Sequence, residues 1–237
     1  LEFASKTDVG LVRPVNEDSV LADESLGLVI VADGLGGHNA GDVASRIAVE
    51  TITSHVRQHT CDTRESEQFL TKAIREANGA IFARAASHVE WSEMGTTVVV
   101  GFFRDHRCTI AHVGDSRAYL ISSGNMTQVT EDHTFVAEWL RNGNLTPEEA
   151  RRHPARHGLT MALGITEGVD PETVTIPLKD GDLMLFCTDG LTDMVEEGKI
   201  RQIVLNAPDI RAACATLVAS ANMRGGLDNI TAVLVKI

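Results

Sequence analysis

Apolar residues gather along this chain in short unbroken runs, and several of the runs stop at a turn that carries an acid. Leu28-Val29-Ile30-Val31-Ala32 leads into Asp33-Gly34, Thr109-Ile110-Ala111-His112-Val113 into Gly114-Asp115, and Leu183-Met184-Leu185-Phe186-Cys187 into Thr188-Asp189-Gly190. Asp228-Asn229 precedes the run 230–235. Short runs rich in branched and aromatic residues, bounded by Gly and Asp, predict buried strands with carboxylates at their ends. Between them the period changes. Val43, Ile47, Ile52 and Val56 mark one helical face, and Phe69, Leu70, Ala73, Ile74, Ala77 and Ile81 mark another. Further helices are expected over 135–140 and 210–221, and one starting at Thr146-Pro147-Glu148-Glu149, which has capping-box spacing and Pro in the first turn. Strands 97–103 and 109–113 are separated by a short turn and followed by 117–121. That grouping predicts antiparallel hairpins with helices packed outside, rather than alternating βαβ units.

Composition narrows the function. With 237 residues and 43% hydrophobic content the chain can bury a full core. No Pro-rich, Gly/Ser-rich or charge-run linker divides it and no repeat recurs, so one domain over 1–237 is expected. The longest apolar runs fall far short of the ~20 residues that span a bilayer, and the first residues carry no leader-like pattern. Cys61, Cys108, Cys187 and Cys214 are scattered with no CxxC pair, which fits a reducing cytoplasm. The net charge of −12, from 33 acids against 21 bases, disfavours nucleic acid and anionic lipid as partners.

The candidate chemistry lies in the strand-end acids. Asp33-Gly34-Leu35-Gly36-Gly37-His38 allows a tight turn that brings backbone carbonyls toward a ligand, and hard divalent cations prefer carboxylate, carbonyl and water oxygens. Taken singly, Asp33-Gly34 is an ordinary turn dipeptide. Asp189-Gly190 and Asp228-Asn229 repeat the arrangement, and carboxylates converging from one sheet would repel unless cations relieved them. Asp193 is expected to cap the next helix. Arg13, a few residues before Glu17-Asp18, offers a guanidinium fork that matches phosphate oxygens, although a surface pair with Glu17 would serve as well. Neither a DxDxT aspartyl nucleophile nor a Cys-x₅-Arg loop is present.

In order along the chain, Arg13 with Asn16-Glu17-Asp18, Val31-Ala32-Asp33-Gly34-Leu35-Gly36-Gly37-His38, Met94-Gly95-Thr96-Thr97, 111–117, Thr130-Glu131-Asp132-His133, 187–191 and 226–231 resemble the metal-dependent protein serine/threonine phosphatases of type 2C, in their compact bacterial form. The resemblance covers the whole chain. It implies an α+β fold, a four-layer αββα sandwich of two antiparallel β-sheets flanked by helices. It also implies a dinuclear Mn²⁺ or Mg²⁺ centre, where metal-activated hydroxide hydrolyses phosphoserine and phosphothreonine. On that pattern Asp33 bridges two metals and the Gly34 carbonyl ligates one. Asp189 and Asp228 complete the protein ligands, Glu17 and Asp18 act through water, and Asp115 shares a third metal with Asp189. Arg13 binds the phosphate and Asn229 supports the site.

Many eukaryotic members carry a histidine directly after the Asp-Gly, where this chain has Leu35. His38 then protonates the leaving oxygen, hydrogen-bonds a coordinated water or simply orients the loop, the last two roles being favoured over the first. His112 is expected in the core and His133 at the turn before the helix at Phe135. The segment 142–164, with Arg151, Arg152, Arg156, His153 and His157, resembles the flap of the bacterial enzymes and is locally basic, as recruitment of an anionic phosphopeptide would favour, although an ordinary solvated helix end accounts better for any one of the arginines. The implied partners are phosphoproteins, namely kinases or their substrates, met by a monomer. A non-catalytic phosphoprotein-binding domain is the competing reading, and the intact acids weigh against it.

Overall fold

The computed structural model of the chain describes residues 1–36, 40–59, 61, 65–87, 91 and 94–237. Two five-stranded antiparallel sheets form its centre. One has the order β1 (Glu2–Asp8), β12 (Ile230–Lys236), β11 (Leu183–Cys187), β8 (Arg117–Ser122), β9 (Asn125–Gln128). The other has the order β10 (Glu172–Pro177), β7 (Arg107–Val113), β6 (Val98–Arg104), β3 (Leu28–Ala32), β2 (Ser19–Asp23).

The unbroken apolar runs are explained by burial on both faces, since successive side chains of a strand point to opposite sides. In β3, Val29 and Val31 face the other sheet, where they join Val99, Ile110, Met184, Phe186, Val233 and Val235. Leu28, Ile30 and Ala32 face outward, onto α1 (Ala40–Gln58) and α2 (Ser66–Ala86). The outer face of the first sheet packs Leu185, Cys187, Ala232 and Leu234 against α6 (Glu197–Asn206) and α7 (Ile210–Met223). These are the four layers that the resemblance implied.

Between the sheets, Gly101 makes room for a ring: a Cβ there would lie 2.4 Å from Phe186 Cζ. The chain changes sheet at 114–116, because β7 lies in one sheet and β8 in the other. Thus 117–121 does not extend the hairpin of β6 and β7, as the sequence had implied. The face of α1 also differs from the expected one. Ala44, Ser45, Ala48, Ile52 and Val56 are buried, while Val43 and Ile47 lie at the margin. Small side chains let this helix approach the sheet closely, a packing that a search for large apolar residues overlooks. Near the 142–164 segment, α3 (Phe135–Arg141) and α4 (Pro147–Arg152) form as expected, α4 with a complete capping box on Thr146 and Glu149.

Candidate active site

Strand register brings the acids together. Cys187 pairs with Ala232 and with Arg117, so the end of β11 that leads to Asp189 lies beside the start of β12, just after Asp228, and the start of β8, just after Asp115. In the other sheet Ser19 pairs with Ala32 and Val31 with Val99, which places Asp18 and Asp33 at one end, together with the β6 terminus that pairs with Val113. Asp18, Asp33, Asp115, Asp189 and Asp228 therefore occupy one edge of the two sheets, although they lie up to 210 positions apart in the sequence.

Hydrogen bonds fix that edge. Asp33 N donates to Thr97 Oγ1 at 3.1 Å, while its carbonyl accepts from Thr97 N at 2.9 Å and Thr96 Oγ1 at 2.8 Å. Thr97 Oγ1 lies 2.8 Å from Ser116 Oγ, which connects Asp33 to the turn carrying Asp115. Asp18 Oδ2 crosses between the sheets, accepting from Thr231 Oγ1 at 2.6 Å and Thr188 Oγ1 at 3.1 Å. Its Oδ1 is buried with no partner among the described residues. Asn229 receives Glu17 N at 2.8 Å and donates to the carbonyls of Val9 and Val15, each at 2.9 Å. At Gly34 a Cβ would come within 2.3 Å of the Gly41 carbonyl oxygen, and at Gly190 within 1.9 Å of that of Asn229, so only glycine fits either turn.

The crowding is electrostatically costly. Burial, and next the repulsion of Asp18, Asp189, Asp115 and Asp228, hold the Asp33 carboxyl well above the ordinary carboxylate range. Burial pushes Asp18 up to about 7 despite its two hydroxyl donors, and Asp115 up to about 8 despite Arg117. Glu17 is raised as well, chiefly by burial. Two basic side chains face part of this charge. Arg13 Nη2 donates to Asp228 Oδ2 at 2.7 Å, a partner different from the Glu17 considered above. His157 Nδ1 stands 3.7 Å from Asp189 Oδ2 and 3.4 Å from Asp193 Oδ2, and contact with Asp189 is the first cause of its raised pKa.

Among the described residues, three-residue clusters with every ligand atom within 4.8 Å of the others occur at His157, Asp189 and Asp193 and at His112, His133 and Glu172, not at the expected ligands. One oxygen each from Asp33, Asp189 and Asp228 thus does not fall within that span. The donor set nonetheless fits a hard divalent cation: it is all oxygen, it is crowded enough to favour protonated carboxyls, and it includes a bare buried carboxylate oxygen on Asp18.

Some expectations are corrected. Asp193 ends α5 (Asp189–Thr192) and pairs with His157, whereas α6 takes Glu196 as its N-cap. His133 accepts from Gly114 N through Nδ1 at 3.1 Å, so it braces the Asp115 turn. His112 is in the core, donating from Nε2 to the Glu131 carbonyl at 2.8 Å, but its Nδ1 has no partner among the described residues. His38 lies outside the described residues. Thr188, Thr231, Thr97 and Ser116 were visible only as members of motifs. Their roles as braces depend on contacts across the sheets that no local pattern encodes.

A family model described as protein phosphatase 2C matches residues 13–227. The serine/threonine phosphatase stp of Listeria innocua serovar 6a is 39% identical over 236 residues, 98% of this chain and 94% of that one. The crystal structure of the Mycobacterium tuberculosis serine/threonine phosphatase PstP/Ppp superimposes with a TM-score of 0.93 at 36% identity, covering 100% of this chain and 98% of that chain. A structure of the PstP catalytic domain in complex with two manganese ions matches with a TM-score of 0.88 at 36% identity, over 98% and 96% of the two chains. This chain belongs to the protein phosphatase 2C family. It is a metal-dependent serine/threonine protein phosphatase, a hydrolase acting on phosphoproteins.

Proposed function

We propose that Asp33, Asp189, Asp228 and the Gly34 carbonyl hold two Mn²⁺ or Mg²⁺ ions, with Asp33 shared between them. In the same reading Asp115 and Asp189 hold a third, more weakly, while Glu17 and Asp18 act through water. The observation that carries this is the gathering of five aspartates at one edge of both sheets, with the charged forms of Asp18, Asp33 and Asp115 disfavoured. Divalent cations bound there supply charge stabilisation and a water acidic enough to ionise near neutral pH.

The chain's own residues then position and exclude. Arg13 is half exposed and orients the substrate phosphate by its fork, releasing Asp228 as it does so. The Asp18 bridge to Thr188 and Thr231 keeps the two sheet edges at a fixed separation, so that groups from both act on one phosphorus atom. No side chain is needed as nucleophile: Cys187, the cysteine nearest the acids in sequence, is fully buried and its thiol is pushed up to about 12 by burial. The segment 142–164 serves as a flap, through which His157 reaches Asp189. Residues 1–237 act as one catalytic domain and as a monomer, on phosphoserine and phosphothreonine in kinases or their substrates. A reducing cytoplasm suits the buried thiols of Cys108, Cys187 and Cys214.

The test is hydrolysis of p-nitrophenyl phosphate and a phosphothreonine peptide with Mn²⁺, repeated with EDTA, alongside calorimetric Mn²⁺ titration. Asp189→Ala and Asp228→Ala are each expected to lower kcat/KM by more than about 100-fold and to weaken Mn²⁺ binding. Asp115→Ala should lower kcat/KM about 10-fold and leave two Mn²⁺ bound. Turnover that survives EDTA, or an Asp189→Ala enzyme with unchanged rate and metal stoichiometry, refutes the assignment.

A further inference from the structure

Loop 9–15 and the turn before β12 are bound to each other and carry apolar side chains outward. Leu11 N donates to the Gly226 carbonyl at 2.8 Å, and a Cβ on Gly226 would lie 3.0 Å from Leu11 Cγ, so the leucine sits directly over that glycine. The Asn229 side chain holds the carbonyls of Val9 and Val15 and closes the loop onto the start of β12. On this joined surface Leu11 is 68% exposed, Val12 62% and Leu227 56%, and Met223, at the end of α7, is 79% exposed. Other exposed large apolar residues, such as Phe82, Phe135 and Leu205, come from separate helices. Single exposed leucines are ordinary, whereas an apolar group gathered beside a site marks a contact surface.

The position of this ridge says what covers it. Leu11 is two residues from Arg13, and Leu227 adjoins Asp228, whose carboxylate Arg13 holds at 2.7 Å. An occupant that stayed on the ridge would block access to the guanidinium, so the fitting partner is one that arrives with the phosphate and leaves with it. The net charge of −12 also opposes an anionic lipid surface and a second copy of the chain.

We propose that this ridge docks the polypeptide flanking the phosphorylated residue and selects substrates with an apolar side chain within about three residues of the phosphoserine or phosphothreonine, a distance an extended chain spans from Arg13 to the leucines. The inference rests on the reading of Arg13 as the phosphate clamp. It adds a substrate class to the reaction: phosphopeptides flanked by Leu, Val, Ile or Met.

The experiment compares the Mn²⁺-loaded wild type with the double variant Leu11→Ser/Leu227→Ser, and with Met223→Ser in case the double variant folds poorly. Each is assayed on p-nitrophenyl phosphate and on two phosphothreonine peptides that differ only in having Leu and Val, or Ser, beside the phosphorylated residue. Wild type is expected to favour the apolar peptide by about 10-fold in kcat/KM, mostly through KM. The double variant should fall to near-equal use of the two peptides, and Met223→Ser should lose part of the preference. All should hydrolyse p-nitrophenyl phosphate within about twofold of wild type, since that substrate has no flanking chain. Equal use of the peptides by wild type, or a preference that survives in the variants, overturns the proposal. So does a wild-type dimer in sedimentation that the double variant abolishes. Arg13→Ala separates the clamp from the ridge: if the clamp reading is wrong, its KM for p-nitrophenyl phosphate stays unchanged whatever the peptide preference.

Discussion

Asp18 keeps its position through one carboxylate oxygen and leaves the other bare in a buried place. Removing its charge should therefore help the metal-free chain and harm the metal-bound one. At pH 8, Asp18→Asn is expected to melt a few degrees above wild type without metal, because an unpaired buried charge is lost. With saturating Mn²⁺ its gain in Tm should be smaller than that of wild type, and calorimetry should record weaker binding by about 10-fold. A larger Mn²⁺ gain in the variant would contradict the role given to Asp18. At this scale the candidate acids were legible in the sequence, Asp33, Asp115, Asp189 and Asp228 beside apolar runs and Asp18 only as part of a family motif. The hydroxyls of Thr188 and Thr231 were not, because the bond between Asp18 and Thr231 spans 213 positions and joins different sheets.

Among the elements, β6 shows how the inter-sheet layer sets its own sequence. Gly101 has an ordinary strand backbone, yet a Cβ would meet the buried Phe186 ring at 2.4 Å. Gly101→Ala is expected to cost about 2 kcal/mol in urea unfolding of the metal-free protein, from overpacking. Pairing it with Phe186→Leu should recover part of that loss, and additive losses would argue against the contact. Strand runs such as β3, β7 and β11 could be read directly, because burial on both faces leaves an unbroken apolar string. The first strand and β2 were missed: Glu2–Asp8 mixes exposed and half-buried positions, and Ser19–Asp23 is half-buried throughout. The face of α1 was misjudged for a related reason. Its contact is built from Ala44, Ser45 and Ala48, residues whose value lies in their small size rather than their hydrophobicity.

For the whole molecule, the clustered acids make stability depend on pH with a definite sign. Asp18 near 7 and Asp115 near 8 hold protons in the folded state over a range in which the unfolded chain, with carboxyls near 4, has released them. The folded state then binds more protons, so stability falls as pH rises and stops falling above the folded pKa values. Metal-free protein should lose about 5 °C in Tm between pH 6 and pH 8, and Mn²⁺ should restore more at pH 8 than at pH 6, because protons compete with the cation for the same oxygens. Differential scanning calorimetry with EDTA and with Mn²⁺ checks both parts, and a metal-free Tm that rises over this range would overturn the account. Local order was determined by the sequence alone: which runs become strands, which turns carry acids, and the ordered motifs that place the chain in its family. The tertiary structure alone decided that the chain changes sheet at 114–116, that Asp18 joins the two sheets, that Arg13 pairs with Asp228, and that Leu11 lies over Gly226. Periodicity reports which face of an element avoids water, but which distant element covers that face follows from register and packing across the whole fold.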